Sequence, residues 1–369
     1  MYIGENKDNL EKGTVKIFEN APTGSWEPVQ LLRQKSGNGA LFDQQLYESF
    51  VLTPKDLPLP NMWGKFRGCY HNYLGLFTDI KLYKAFIKNG LLELLQEDTI
   101  QHIELRDAPE ENLIVMYKEI IQEMREQFSF FTLKIICDAS RKEDRARVRK
   151  LAQETLRLKK KYPEIIAGFD LVGEEDAGHS IAYYLEDLLE LEGQLPFYFH
   201  AGETNWPFNM YAKIIFNDNL YDAYLLNAKR VAHGLSLVKN PYLMNKFKDA
   251  KIAIEVCPIS NQVLGYVKDL RNHPALTYLN AGLPVTINPD DPAIFGYQGV
   301  TPDLWEACVA WELDLRALKQ LMINSVTYSS LDSSQKEALL KVWEHKWNEF
   351  ISETVQSIKI TQAVLPKKE

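Results

Sequence analysis

The chain lacks most of the devices that announce a protein's trade. Its four cysteines, Cys69, Cys137, Cys257 and Cys308, form no C-x-x-C pair in 369 residues, so no disulfide framework is expected. Cys137 and Cys257 lie inside apolar runs, where free thiols are commonly buried. There is no N-x-S/T acceptor, no G-x-G-x-x-G and no Walker loop. A doubly wound nucleotide-binding sheet would carry such a loop after its first strand. No apolar run is long enough to span a bilayer. The opening MYIGENKDNLEKG is polar and predicts no signal peptide. Excess positive charge is missing too: the net charge is −8, so no general attraction for nucleic acid or an anionic membrane surface is expected. A small-molecule substrate is the better expectation. No internal repeat is visible.

What is present is an alternation. From about residue 75, segments with apolar residues at three- and four-residue spacing alternate with near-continuous apolar runs. The runs are IQHIELRDA, FFTLKIICDAS, IIAGFDLVGEE, LPFYFHAGE, KRVAHGLSL, KIAIEVCPISN and LPVTINPDD. Strands buried on both faces look like this, so the sheet should be parallel. Each run ends in polar residues: Arg106 and Asp107, Asp138, Gly173 and Glu174, His200 and Glu203, His233, Cys257 and Asn261, Asp290 and Asp291. Polar groups gathered at C-terminal strand ends mark the active-site face of a TIM-type (β/α)8 barrel. Only seven strands are counted, so the barrel is expected to lack its first strand. Two C-terminal helical segments follow, the first broken near Asp314. The organisation expected is an irregular N-terminal segment over 1–60, a barrel domain over 61–360 and a tail over 361–369.

His200 and Asp290 are candidate metal ligands, because imidazole and carboxylate at one barrel end suit Zn²⁺. His200 taken alone reads more simply as a hydrogen-bonded core histidine, and Asp290-Asp291 as a turn; the pattern of strand ends raises both. Glu203, one turn after His200, is placed to donate a proton if burial raises its pKa. His233 is placed to orient or deprotonate an activated water, or simply to cap its strand. Gly173 and Gly178 bracket GEEDAG, where backbone can approach a flat ligand or merely turn. Trp206 walls the pocket or belongs to the helical cover. His71, His102 and His345 are expected to be structural, while His179 and His273 are loop residues with no assigned role.

FHAGET, VAHGLSL, IEVCPISNQVL, DLRNHPA and DDPAIFG resemble the adenosine deaminase superfamily, and more narrowly its secreted growth-factor-type (type 2) group. GFDLVGEEDAGHS and DLRALKQLMINSVTYSSL are similar to that same group, and the likeness spans roughly residues 60 to 355. The resemblance implies a barrel of the metal-dependent hydrolase kind holding one zinc, with His200 and Asp290 as ligands. It implies Glu203 as the acid for purine N1, His233 as the residue serving the attacking hydroxide, Asp291 on N7 and the Gly173 backbone on N3. The implied reaction is hydrolytic deamination of adenosine, possible 2′-deoxyadenosine included, to inosine and ammonia. Extracellular action and a homodimer are implied as well.

Relatives carry two further zinc ligands as His-x-His on the first strand, and this sequence has no His-x-His. The missing pair and the missing strand coincide, which reads as an internal start at Met1, with the signal peptide and dimerisation segment upstream. The alternative is a member without catalysis, acting as a nucleoside- or receptor-binding protein. Either way the isolated chain is expected to be poorly folded or inactive. INPDDP replaces the group's usual Ser-Ser before the aspartate pair, and CDASRKED lacks a histidine common in relatives. Another amidohydrolase chemistry is disfavoured, because that class commonly places a lysine at a strand end and no strand end here has one.

Overall fold

The computed structural model describes residues 1–4, 14–18, 21–52, 62–76, 79–204 and 219–364. Three two-residue strands, β1 (Tyr2–Ile3), β2 (Val15–Lys16) and β3 (Glu27–Pro28), form a small antiparallel sheet in the order β2-β1-β3. Helices Val29–Lys35 and Gly39–Glu48 follow. The segment read as irregular is thus partly helical. Its turn-rich KSGNGA holds the reason: Asn38 accepts from the Leu41 N–H at 3.1 Å and starts the second helix. Ile3, Val15, Val29 and Phe42 close a small core there.

The main body is a barrel-type α/β sheet of seven parallel strands taken in sequence order. They are β4 (His102–Asp107), β5 (Thr132–Ser140), β6 (Ile166–Val172), β7 (His200–Ala201), β8 (Arg230–His233), β9 (Ala253–Val256) and β10 (Val285–Ile287). One ladder joins β4-β5-β6 and another β7-β8-β9-β10. A parallel bridge between Phe169 and Phe197 connects them. Among the described residues no ladder joins β10 to β4. The seven apolar runs therefore became seven strands, each with its polar residues at the expected end.

The helices between strands form because one face of each is apolar. Helix Arg145–Lys161 buries Val148, Ala152, Thr155 and Leu158 and starts at Asp144, whose carboxylate accepts from Arg147 N–H at 2.8 Å. Its last turn carries Lys159, Lys160 and Lys161, favourable at the negative end of the helix dipole. Helix Glu111–Arg125 seats Ile114, Tyr117, Ile120, Ile121 and Met124 in the same continuous core as Ile135, Phe169, Phe199 and Ile254. Each such fully buried side chain contributes roughly 1.5–3 kcal/mol. The break foreseen near Asp314 is real: Thr301–Ala310 ends, and Asp314 caps Leu315–Thr327 through the N–H groups of Arg316 and Ala317 at 2.9 and 2.8 Å. Helix Ser333–Val364 closes the described chain.

The barrel interior is not purely apolar. Arg106 Nε donates to Asp170 at 2.7 Å and its Nη2 to Glu255 at 2.9 Å. Arg230 Nε donates to the other oxygen of Glu255 at 2.5 Å, and Arg230 also bonds Glu104. Burial alone would push these carboxyls up, but the arginines, with His102 and His200, hold Glu104, Asp170 and Glu255 below their ordinary values. The charges are tolerated because each has a partner.

Candidate active site

His200 leaves the buried run Phe197-Tyr198-Phe199. Asp170, in the middle of β6, takes hold of it twice: its Oδ1 accepts the His200 backbone N–H at 2.9 Å and its Oδ2 lies 2.6 Å from Nδ1. The carboxylate must accept, so Nδ1 carries a proton and Nε2 is the nitrogen left to meet a cation. His200, His233 and Asp290 each bring one ligand atom within 4.8 Å of the others. Imidazole nitrogen and carboxylate oxygen are a donor set that fits Zn²⁺ in kind.

Two of these residues sit on unusual backbone. His233 has φ +62° and Asp290 φ +60°, a left-handed conformation that costs a side-chain-bearing residue about 1–3 kcal/mol and concentrates at functional positions. Gly202 lies between His200 and Glu203 with φ +69°, and a Cβ there would stand 2.7 Å from Leu220 Cδ1 and Ser236 Oγ. Only glycine satisfies both demands. The buried Glu175 carboxylate staples the turn, accepting from Gly202 N–H at 2.9 Å, Thr204 N–H at 3.2 Å and Asn219 Nδ2 at 2.6 Å. The buried Arg141 donates to the His200 carbonyl from the other side.

That turn presents Glu203, 2% exposed, with Oε1 at 3.7 Å from His233 Nε2. Burial, then the neighbouring Asp290 and Glu175 carboxylates, push the Glu203 carboxyl well above its ordinary value, against the pull of Arg141. That direction favours the protonated carboxyl. Burial brings His233 down to about 4, so its ring is neutral. Asp291 follows Asp290, and burial plus that adjacent carboxylate raise it well above the ordinary range. Gly173 has φ +98° at the end of β6, and a Cβ there would have only Ser140 Oγ near it, at 4.0 Å. Gly178 differs: a Cβ would come 2.5 Å from Arg141 Cβ, so it is a packing glycine. Trp206 lies outside the described residues.

Sequence reasoning missed Asp170, Arg141 and Glu175 as supports of this site. Asp170 left one signal, an ionisable residue in the middle of the apolar IAGFDLV. His273, left without a role, proves buried, with Nε2 3.0 Å from Asn261 Oδ1. Asn261 Nδ2 in turn lies 3.1 Å from His233 Nδ1.

A family model described as adenosine deaminase matches residues 90–345. Over 95% of its length the chain is 37% identical to adenosine deaminase 2 of Dictyostelium discoideum, covering 67% of that protein. It is 34% identical to adenosine deaminase 2 of Homo sapiens over 89% of this chain and 68% of that one. The chain thus spans about two thirds of these relatives. Among solved structures, adenine deaminase from Arthrobacter aurescens superposes with a TM-score of 0.66 at 20% identity, covering 85% of this chain and 92% of that one. That likeness speaks for the fold.

Proposed function

Since the chain belongs to the adenosine deaminase family, we propose that it converts adenosine and water to inosine and ammonia. The observation that carries this reading is a buried carboxyl, Glu203, whose pKa burial pushes up, 3.7 Å from the imidazole of His233 and beside the His200/Asp290 donor set.

Zn²⁺ held by His200 and Asp290 would supply the Lewis acidity that makes water a nucleophile near neutral pH. The other steps belong to side chains. Glu203 delivers its proton to purine N1, which drains electron density from C6 and opens that carbon to attack. His233 faces the oxygen that adds there. Asp291 can donate to N7 in its protonated form, which its raised pKa favours, and the Gly173 N–H can donate to N3; together they fix the ring plane and aim C6. Water's oxygen stays on C6, and the 6-amino group leaves as ammonia after taking up a proton.

The test is ammonia release and the ultraviolet change to inosine, followed in the purified chain with and without added Zn²⁺. Zinc-dependent conversion supports the reading. A second reading is a nucleoside-binding member without turnover. A folded chain that binds adenosine yet releases no ammonia at any zinc concentration decides for it. By the same family membership we assign the action to extracellular adenosine and to a homodimer. Light scattering of the purified chain and localisation of a tagged full-length product check these two assignments.

A further inference from the structure

His233 carries a question that its position alone leaves open. A neutral imidazole has one protonated and one bare nitrogen. If Nε2 is bare, His233 can ligate a cation or take a proton from water. If Nε2 is protonated, it can do neither and instead donates a hydrogen bond into the cavity.

The answer is written outside the ring. The Ala275 backbone N–H, at the start of helix Ala275–Ala281, donates to His273 Nδ1 at 3.0 Å. A backbone N–H can only donate, so His273 Nδ1 is an acceptor. His273 is 2% exposed, and burial lowers it to about 4, so its single proton sits on Nε2. That proton points to Asn261 Oδ1 at 3.0 Å. The Asn261 amide then has its Nδ2 hydrogens left for His233 Nδ1 at 3.1 Å. His233 Nδ1 must accept, and the remaining proton belongs on Nε2. Turning the amide over would set its NH2 against the Nε2–H of His273, so the relay runs one way only. Asn261 and His233 are both buried, and bulk water offers no rival partner.

We propose that His273 and Asn261 are positioning residues that hold the His233 ring with its proton on Nε2, making His233 a hydrogen-bond donor to the attacking oxygen. It is then neither a ligand of the metal nor the base that deprotonates water. The effect on turnover rests on the deaminase reading; the nitrogen assignment does not. A donor aimed at developing oxygen charge is worth about 100-fold or more in kcat.

Asn261→Asp is the discriminating change. It keeps the shape but offers only acceptor oxygens, so the proton is drawn to His233 Nδ1 and Nε2 is laid bare. The experiment labels histidine with ¹⁵N and reads from long-range ¹H–¹⁵N correlation which His233 nitrogen is protonated, in the wild type and in Asn261→Asp. Zinc affinity, by competition with a chromophoric chelator, and steady-state kinetics accompany it. The wild type is expected to show the Nε2-protonated ring. The variant should show the swapped ring, bind zinc about 10-fold tighter, and lose about 100-fold in kcat with KM little changed. A wild-type His233 protonated on Nδ1 overturns the proposal whether or not the variant folds. So does an unchanged ring in a folded variant. His273→Gln supplies a second variant, expected to give a mixture of the two ring forms; a single Nε2 form there overturns the role of His273. A swapped ring with unchanged kcat overturns the donor role and counts against the deaminase reading, while the nitrogen assignment stands.

Discussion

The barrel holds two histidine–carboxylate–arginine groups, one near each end. His102 opens β4 with Nδ1 2.8 Å from Thr132 Oγ1 and Nε2 3.0 Å from Glu104, which also bonds Arg230. His200 opens β7 with Nδ1 on Asp170, which also bonds Arg106. Residue types and burial are alike. The difference is one valence: both ring nitrogens of His102 are spent on protein, whereas among the described residues only Nδ1 of His200 is so spent. The chemical group alone does not make a site; an uncommitted atom, held in place by a committed one, does.

The largest break in that symmetry should come from Glu203→Gln. Kinetics on the folded variant should show kcat lower by about 10²–10⁴, with the circular dichroism spectrum and melting curve unchanged. Next, His200→Gln and His102→Gln should part ways. Chelator competition should find zinc binding lost in the first and kept in the second, while denaturant titration finds the second less stable by about 1–3 kcal/mol for the partners left unsatisfied. Equal loss of zinc binding in both would erase the distinction. Asp170→Asn should weaken zinc binding about 10–100-fold through its effect on His200. Gly202→Ala should cost at least about 1 kcal/mol, from the left-handed backbone and the crowding by Leu220 and Ser236 together, read as a lower midpoint in urea. The smallest effect is on pH. Glu203 acts as an acid and burial raises its pKa, so kcat should fall as pH rises through that raised value. A profile flat well into the alkaline range would remove Glu203 from the proton transfer.

Much of this was legible in the order of residues. Seven apolar runs with polar ends gave seven strands, and Asp314 announced its helix break. His200, His233, Glu203 and Asp290 meet in space because strand ends meet in a barrel. The supports were harder to see. Asp170 sits where a core residue would, and only the ladder shows which way it faces. Arg141 and Glu175 lie in loops rich in charge, where pattern cannot separate a buried pair from solvated ones. The N-terminal helices escaped because they are short and bordered by Gly and Pro, the same signals that mark turns. His102 precedes its apolar run whereas His200 follows one, and that position along the strand distinguished them.

The meeting of the two ladders has a consequence for how the molecule breathes. Between β6 and the chain entering β7 the backbone is tied by Phe169 N–H to Pro196 O and Tyr198 N–H to Phe169 O, whereas β4-β5 and β5-β6 are paired along their length. Side chains do the rest of the joining: Asp170 to His200, Arg106 to Glu255, Glu104 to Arg230. The sheet is therefore two leaves on an ionic hinge-line. Amide exchange should be faster along that line than inside either leaf, because local opening follows the sparsest backbone pairing. Any cation caught between His200 and Asp290 would slow it, acting as a clasp on the leaf formed by β7 to β10 and, through Asp170, on its neighbour.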